Sequence, residues 1–253
     1  MKTRTFVTGC ALALALLLFA QRRQPQALPV TYHGIVDLTR SETAAADIAA
    51  SMRRAPELGA ATGHRAATLA RGGDKATRIE APAGYARSLW TVDQIPPERL
   101  VAKLAVLDVR AKVKTNPGYE ITVQDIARWE QVNGQILPGT VVVAETGWNR
   151  DEQPASATRG TNGKYAPGYS EEAAKFLVEG RNVLGLGIDT PRVDSGSSNN
   201  SPVGQYTLSH SVYHLENVAS LERVPASGAV VMVAPMKFAG RVDGPVRVLA
   251  LVK

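Results

Sequence analysis

Imidazole, carboxylate and thiol groups are the side chains best suited to hold a metal or move a proton near neutral pH. This sequence holds four histidines, one cysteine and 23 acidic residues. His210 and His214 are four apart, a spacing that on a helix would turn both toward one metal. Yet Val212-Tyr213-His214-Leu215-Glu216 has the composition of a strand. On a strand His214 and Glu216 share one face, which makes them a candidate pair, set against the plainer reading of His214 as a hydrogen-bonded structural residue. His64 precedes a β-like run, and His33 reads as a surface residue. Asp189 and Asp194 flank Thr190 in a strand-to-loop turn, where carboxylates commonly cap backbone N–H groups. Gly160-Thr161-Asn162-Gly163-Lys164 lacks P-loop spacing, and no Gly-x-Gly-x-x-Gly follows a strand. A serine nucleophile elbow is also missing. Nucleotide binding and serine-hydrolase chemistry are therefore set aside.

The elements that must position these residues alternate. Strands are expected over residues 34–39, 66–70, 77–81 and 104–109, then over 141–146, 183–188, 212–216, 229–234 and 246–252. The run over 141–146 is nearly continuous apolar sequence, as in a strand buried on both faces. An Ala-rich helix is expected over 41–54, with Ser41 as N-cap. A second starts at Thr122, with Asp125 closing a capping-box variant and Ile126, Trp129 and Val132 as its apolar stripe, and Gly134 stops it. A third runs over 171–179 from the cap Ser170. Residues 149–167 read as a long loop and 195–202 as a polar loop. The expectation is one α/β domain over residues 28–253, with more strand than helix.

Four positive charges (Lys2, Arg4, Arg22, Arg23) and no acidic residue lie in the first 27 residues. Taking those four from the 29 basic residues leaves 25 against 23 acidic, so the +6 net charge is largely N-terminal and no nucleic-acid surface is indicated. Lys2 and Arg4 followed by the uncharged run Phe6–Ala20 have the pattern of an export signal within residues 1–27, with a short uncleaved anchor as the alternative. Export implies a periplasmic or extracellular protein. Cys10 is the one cysteine; once the segment is removed, Cys-ligated zinc and disulfides are excluded.

Seven stretches in order carry a family resemblance. They are Val36-Asp37-Leu38-Thr39; Trp90-Thr91-Val92-Asp93-Gln94-Ile95-Pro96; Pro138-Gly139 with Thr146-Gly147-Trp148; Gly185-Leu186-Gly187-Ile188-Asp189-Thr190; Leu215-Glu216-Asn217-Val218-Ala219-Ser220-Leu221; Ala234-Pro235-Met236-Lys237; and Pro245-Val246-Arg247-Val248-Leu249-Ala250. Together they resemble the cyclase/kynurenine formamidase family of metal-dependent hydrolases. The resemblance implies a swivelling β/β/α domain with mixed sheets and a few helices, usually assembled as a homo-oligomer. It also implies hydrolysis of small-molecule amides such as N-formylkynurenine, in tryptophan breakdown, or opening of related rings, with zinc or manganese as cofactor.

The family signature, His-x-Gly-Thr-His-x-Asp-x-Pro-x-His, falls on residues 74–84 in register with Thr77 and Pro82. By that resemblance the two ligand histidines are Asp74 and Arg78, the ligand aspartate is Glu80 and the proton-shuttle histidine is Gly84. A further ligand histidine is Gly204, and Glu216 alone is unchanged. His64 and Trp148 fall near the family's pocket, packing being the safer reading of Trp148. A catalytic zinc needs about three protein ligands and an open position, and Arg78 puts a permanent cation where a donor should be. Loss of the shuttle removes a factor of about 10²–10⁴. Three readings stay open. One is a non-catalytic pseudoenzyme or small-molecule binding protein, with Arg78 pairing with Asp74, Glu80 or Glu216 and no metal bound. Another is an altered hydrolase with a hard cation, manganese or magnesium, on Asp74, Glu80 and Glu216. The last is an inert variant without a selected function.

Overall fold

Periodicity of two in the apolar residues, broken by Gly, Pro and charged turns, sets most of the elements. The computed structural model describes residues 31–40, 76–148, 166–198 and 200–253. In chain order these form β1 (Gly34–Asp37), β2 (Arg78–Glu80), β3 (Val101–Asp108), α1 (Arg110–Thr115), β4 (Glu120–Ile121), α2 (Val123–Asn133) and β5 (Thr140–Glu145). There follow β6 (Gly168–Tyr169), α3 (Glu171–Arg181), β7 (Gly185–Ile188), α4 (Pro202–Ser209), β8 (Tyr213–Glu216), β9 (Ala229–Pro235) and β10 (Asp243–Val252). The helix expected over 41–54, the strand over 66–70, most of the 149–167 loop, and Asp74 and His64 lie outside the described residues.

Strands β3, β5, β7 and β8 pair in parallel, and parallel neighbours need crossovers. Helix α2 lies between β3 and β5 in the chain, α3 between β5 and β7, and α4 between β7 and β8. The antiparallel half closes the sheet. β10 is long enough to bond β2 and then β1 along one edge and β9 along the other, while β9 also bonds β3. Seven strands thus form a barrel-like ring, with β1 beside the far end of β10.

Alternation along each strand divides the core in two. Leu104, Val106, Val141, Val143, Ile79 and Leu215 face the interior cluster. Ala105, Leu107, Val142, Ala144, Leu186 and Ile188 belong to the outer cluster, together with Ile126 of α2 and Leu177 of α3. β5 is buried on both faces throughout, which explains its unbroken apolar sequence. This is the mixed α/β architecture expected.

The caps behave as their residue types dictate. Thr122 Oγ1 accepts from Asp125 N, and Asp125 Oδ2 accepts from Thr122 N at 2.9 Å. Ser170 Oγ accepts from Ala173 N, and α3 continues to Arg181, where Asn182 takes a left-handed conformation (φ 49°). The stripe expected on α2 needs correction, since Val132 is 83% exposed. Six residues at 100° each leave it about 120° away from Ile126. Trp129 does turn inward and donates its indole N–H to Val106 O at 2.8 Å. A larger addition is α4, of which only Pro202 falls in the expected polar loop while 203–209 carry no expected element. Its Gly, Ser and Thr content gives weak intrinsic propensity, but Pro202 suits the first turn and the helix is held by tertiary bonds described below.

Candidate functional site

β2 is three residues long and wholly buried. Ile79 fills the interior cluster, so Arg78 and Glu80 must face outward. Antiparallel pairing sets Arg78 opposite Glu216 and Glu80 opposite His214. On the other edge Glu80 is opposite Asp243 and Arg78 opposite Pro245. Register alone therefore gathers Arg78, Glu80, His214, Glu216 and Asp243 on one outward face. All five are buried, with His214 at 0% exposure and Glu216 at 2%.

Helix α4 closes this layer. Asp194 accepts from Val203 N at 2.9 Å and from Gly204 N at 3.1 Å, capping the helix as its turn position suggests. Burial pushes the Asp194 carboxyl upward, against the opposing pull of Arg192 and His214. A Cβ on Gly204 would sit 2.9 Å from Asp194 Oδ2 and 3.7 Å from His214 Cε1. The space a side chain at 204 would need is thus taken by a carboxylate and an imidazole edge. His214 brings an imidazole to that region from the neighbouring strand. At Gly84 a Cβ would lie 3.0 Å from Glu80 Oε1, so that end of the layer has closed around Glu80.

The ring of His214 is held at both nitrogens: Nε2 lies 2.6 Å from Thr207 Oγ1, which also reaches Val203 O at 2.7 Å, and Nδ1 lies 3.2 Å from Glu80 Oε2. A neutral ring with its hydrogen on Nε2 turns the Nδ1 lone pair on Glu80, and that is the form able to share a cation with the carboxylate. One ligand atom from each of Glu80, His214 and Glu216 lies within 4.8 Å of the others. That spread suits a single cation with bonds of about 2.0–2.4 Å. One imidazole with two carboxylates is a donor set for manganese or zinc, so these residues fit the cation that the sequence resemblance implies.

Arg78 takes a partner the sequence did not suggest. Its Nη2 bonds Asp243 Oδ2 at 2.8 Å in a buried ion pair. Among the described residues four carboxyl groups (Glu80, Asp194, Glu216, Asp243) gather in this layer, with Arg78 and Arg241 both beside Asp243 and Arg192 acting on Asp194. Asp243 and Thr207 were not singled out from the sequence. The signal for Asp243 was its place two residues before Pro245, on the outward side of a strand. Thr207 had none, because its helix was not legible.

Trp148 belongs to a different part of the fold, after the end of β5. Its backbone N–H donates to Asp189 Oδ2 at 3.3 Å, and its side chain packs on Ala166. Asp189 also accepts from Thr146 N, Thr146 Oγ1 and Gly147 N. Burial still pushes Asp189 up to about 6 against these donors. Gly147 turns the chain at φ +73° with Arg110 Cγ 3.1 Å from where a Cβ would be, so glycine is required there. Arg110 bonds Asp108 and reaches Glu145 at 3.0 Å.

Glu145 stands in this acidic neighbourhood. Burial first, then Asp108, Asp189 and Glu222, raise its pKa from 4.5 to about 7 despite Arg110. A carboxyl whose pKa is raised by folding contributes stability below its unfolded value and loses it as pH rises through the folded value. Relative to Glu145→Gln, wild-type stability is expected to fall between pH 4.5 and about 7, by on the order of 2 kcal/mol. Urea unfolding of both proteins across that range checks this; parallel pH profiles would refute it.

The sequence profile of the Cyclase family matches residues 30–195. The isatin hydrolase of Roseibium aggregatum is 28% identical over 166 residues, covering 63% of this chain and 63% of its own length. The kynurenine formamidase of Polaromonas naphthalenivorans is 36% identical over 77 residues, 30% of this chain and 34% of its own length. The solved structure of isatin hydrolase A from Labrenzia aggregata, bound to benzyl benzoate, has a TM-score of 0.70 and 26% identity over 87% of this chain and 93% of that one. The chain belongs to the cyclase family. It spans less than two thirds of the length of the two curated relatives it matches.

Proposed function

We propose that this protein is a divalent-cation-dependent hydrolase of a small cyclic or aryl amide, with Glu80, His214 and Glu216 as the cation's protein ligands. The observation that carries the reading is the convergence of these three buried donors within 4.8 Å, with His214 Nδ1 3.2 Å from Glu80 Oε2. A cation bound there supplies polarisation of the amide carbonyl and a more acidic water. Thr207 fixes the imidazole, and Asp243 holds Arg78 at 2.8 Å, so its charge is engaged within the layer. No side chain at Gly84 can shuttle a proton, which implies slow turnover. An isatin-like ring is favoured over N-formylkynurenine because the isatin hydrolase match covers 166 residues and the formamidase match 77. The Lys2, Arg4 and Phe6–Ala20 pattern supports export.

The second reading, a non-catalytic binding protein, is favoured by the guanidinium of Arg78 inside the layer. Melting scans with manganese, zinc, magnesium and chelator, alongside isatin ring-opening assays, decide between them. The hydrolase reading expects one ion to raise the melting point, by about 2.7 kcal/mol of stability at a hundred times its Kd, and chelator to abolish turnover. No shift and no turnover of isatin or N-formylkynurenine would leave the binding protein.

A further inference from the structure

An antiparallel sheet with one side in water alternates apolar and polar residues. The wall made by β3, β9, β10 and β1 does not. Its inward residues are apolar, Ala102, Val231, Val248 and Val36 among them. Its outward residues are apolar as well, and register lays them out in rows. Lys103 pairs with Val230, Val230 with Leu251, and Leu251 with Ile35. In the next row Val101 pairs with Met232, Met232 with Leu249, and Leu249 with Asp37. Six of these eight outward residues are apolar.

Where a helix covers the sheet, outward apolar residues are buried, as Val142 of β5 and Leu186 of β7 are in one cluster with Ile126 of α2 and Leu177 of α3. On the β3–β9–β10–β1 wall they stand in water. Ile35, Val101 and Met232 are 66%, 52% and 38% exposed, three of the seven large hydrophobics so exposed among the described residues. A contiguous apolar patch of this kind marks an interaction surface. The charges at its margins point to the partner. Lys103 stands at the β3 margin and Asp37 at the β1 margin, at opposite ends of the rows. Asp37 Oδ2 accepts from Arg247 Nη2 at 2.8 Å, and a carboxylate has acceptor sites left for a further donor.

We infer that this face joins two copies of the chain. A two-fold axis in the plane of contact, along the strands between β9 and β10, sets β3 of each copy over β1 of the other. Apolar rows then meet apolar rows, and Lys103 of each copy stands one row from Asp37 of the second copy. Stacked sheets lie about 10 Å apart and successive rows on one face about 7 Å apart, a gap that a lysine and an aspartate span together. An isologous contact satisfies both margins at once. Four strands about 4.8 Å apart, over about 20 Å of length, give roughly 400 Å² in projection, at the small end of specific interfaces. The pair should therefore form and dissociate reversibly.

Sedimentation velocity of the full chain over about three decades of concentration tests this. Wild type is expected to pass from monomer to dimer as concentration rises. Met232→Lys should stay monomeric, because it sets a charge in the middle of the contact. Its melting point, read at the lowest concentration, should equal that of wild type and so show it folded. Lys103→Glu should weaken association about tenfold by placing like charges together, and Lys103→Arg should preserve it. Val132→Lys, on the open side of α2, is the control and should associate as wild type does. A wild type that is monomeric at every concentration would overturn the inference and leave the face to a lipid surface or another protein. Association that survives Met232→Lys, or that Val132→Lys removes equally, would overturn it as well.

Discussion

Replacing Glu216 by glutamine is expected to lower divalent-cation affinity at least about 100-fold, while the cation-free protein keeps or gains stability. Glu216 is 2% exposed and pairs across the strands with Arg78. Glutamine has the same shape, so the β2–β8 ladder has no reason to shift. It lacks the negative charge that a hard or borderline cation requires of an oxygen ligand. Changes to groups that merely orient a ligand already cost 10–100-fold, and removal of a ligand should cost more. Without a cation the change has the opposite sign. Glu80 and Glu216 converge in the buried layer, and neutralising one of two carboxylates that close on each other relieves repulsion. Melting curves with and without manganese read both effects. Manganese should raise the wild-type transition and leave the variant's unmoved. A cation response in Glu216→Gln equal to that of wild type would remove Glu216 from the ligand set. A large loss of stability without cation would show that its role is structural.

Gly168→Ala is expected to have the largest effect on stability. The new Cβ would lie 2.2 Å from Ser195 N, 2.4 Å from Asp194 C and 2.7 Å from Ser195 Cα. All three are backbone atoms, which cannot rotate away. The two segments are tied on both sides, since Tyr169 N donates to Val193 O and Gly196 N donates to Ala166 O, each at 2.8 Å. Overpacking of this kind reaches about 3 kcal/mol or more. In a domain of this size that shifts the melting point by roughly 6–12 °C. The displaced residue, Asp194, caps α4 over His214, so cation binding should weaken in parallel. Gly244→Ala, whose Cβ meets open space, serves as the control and should be within about 0.5 kcal/mol of wild type. Equal melting points for the two variants would show that the 166–169 segment can move apart from 193–196.

Much of the scaffold was legible because its signals are local. The unbroken apolar run of β5 announced burial on both faces, Thr122 and Ser170 announced their helices, and Gly134 announced a stop. Alternation put His214 and Glu216 on one face of a strand before any partner was known. Motif register placed Glu80 and Glu216 among the candidate ligands. Helix α4 was not legible, since its stability comes from Asp194 and from β8 rather than from its own residues. The drift of Val132 off the stripe of α2 is a smaller case, a matter of where 3.6 residues per turn carries a side chain.

The partnerships inside the site were the tertiary structure's to decide. Arg78 and Asp243 are 165 residues apart, and nothing in either segment names the other. They meet because β10 is long enough to bond β2 at its start and β9 beyond it, which closes the ring of strands. His214 Nδ1 faces Glu80 because Thr207, on a helix the sequence concealed, holds the other ring nitrogen at 2.6 Å. Composition and periodicity determine which face of a strand a residue occupies, since that depends on its immediate neighbours. Which charges share that face depends on the register between distant strands, and register is set only when the whole sheet closes.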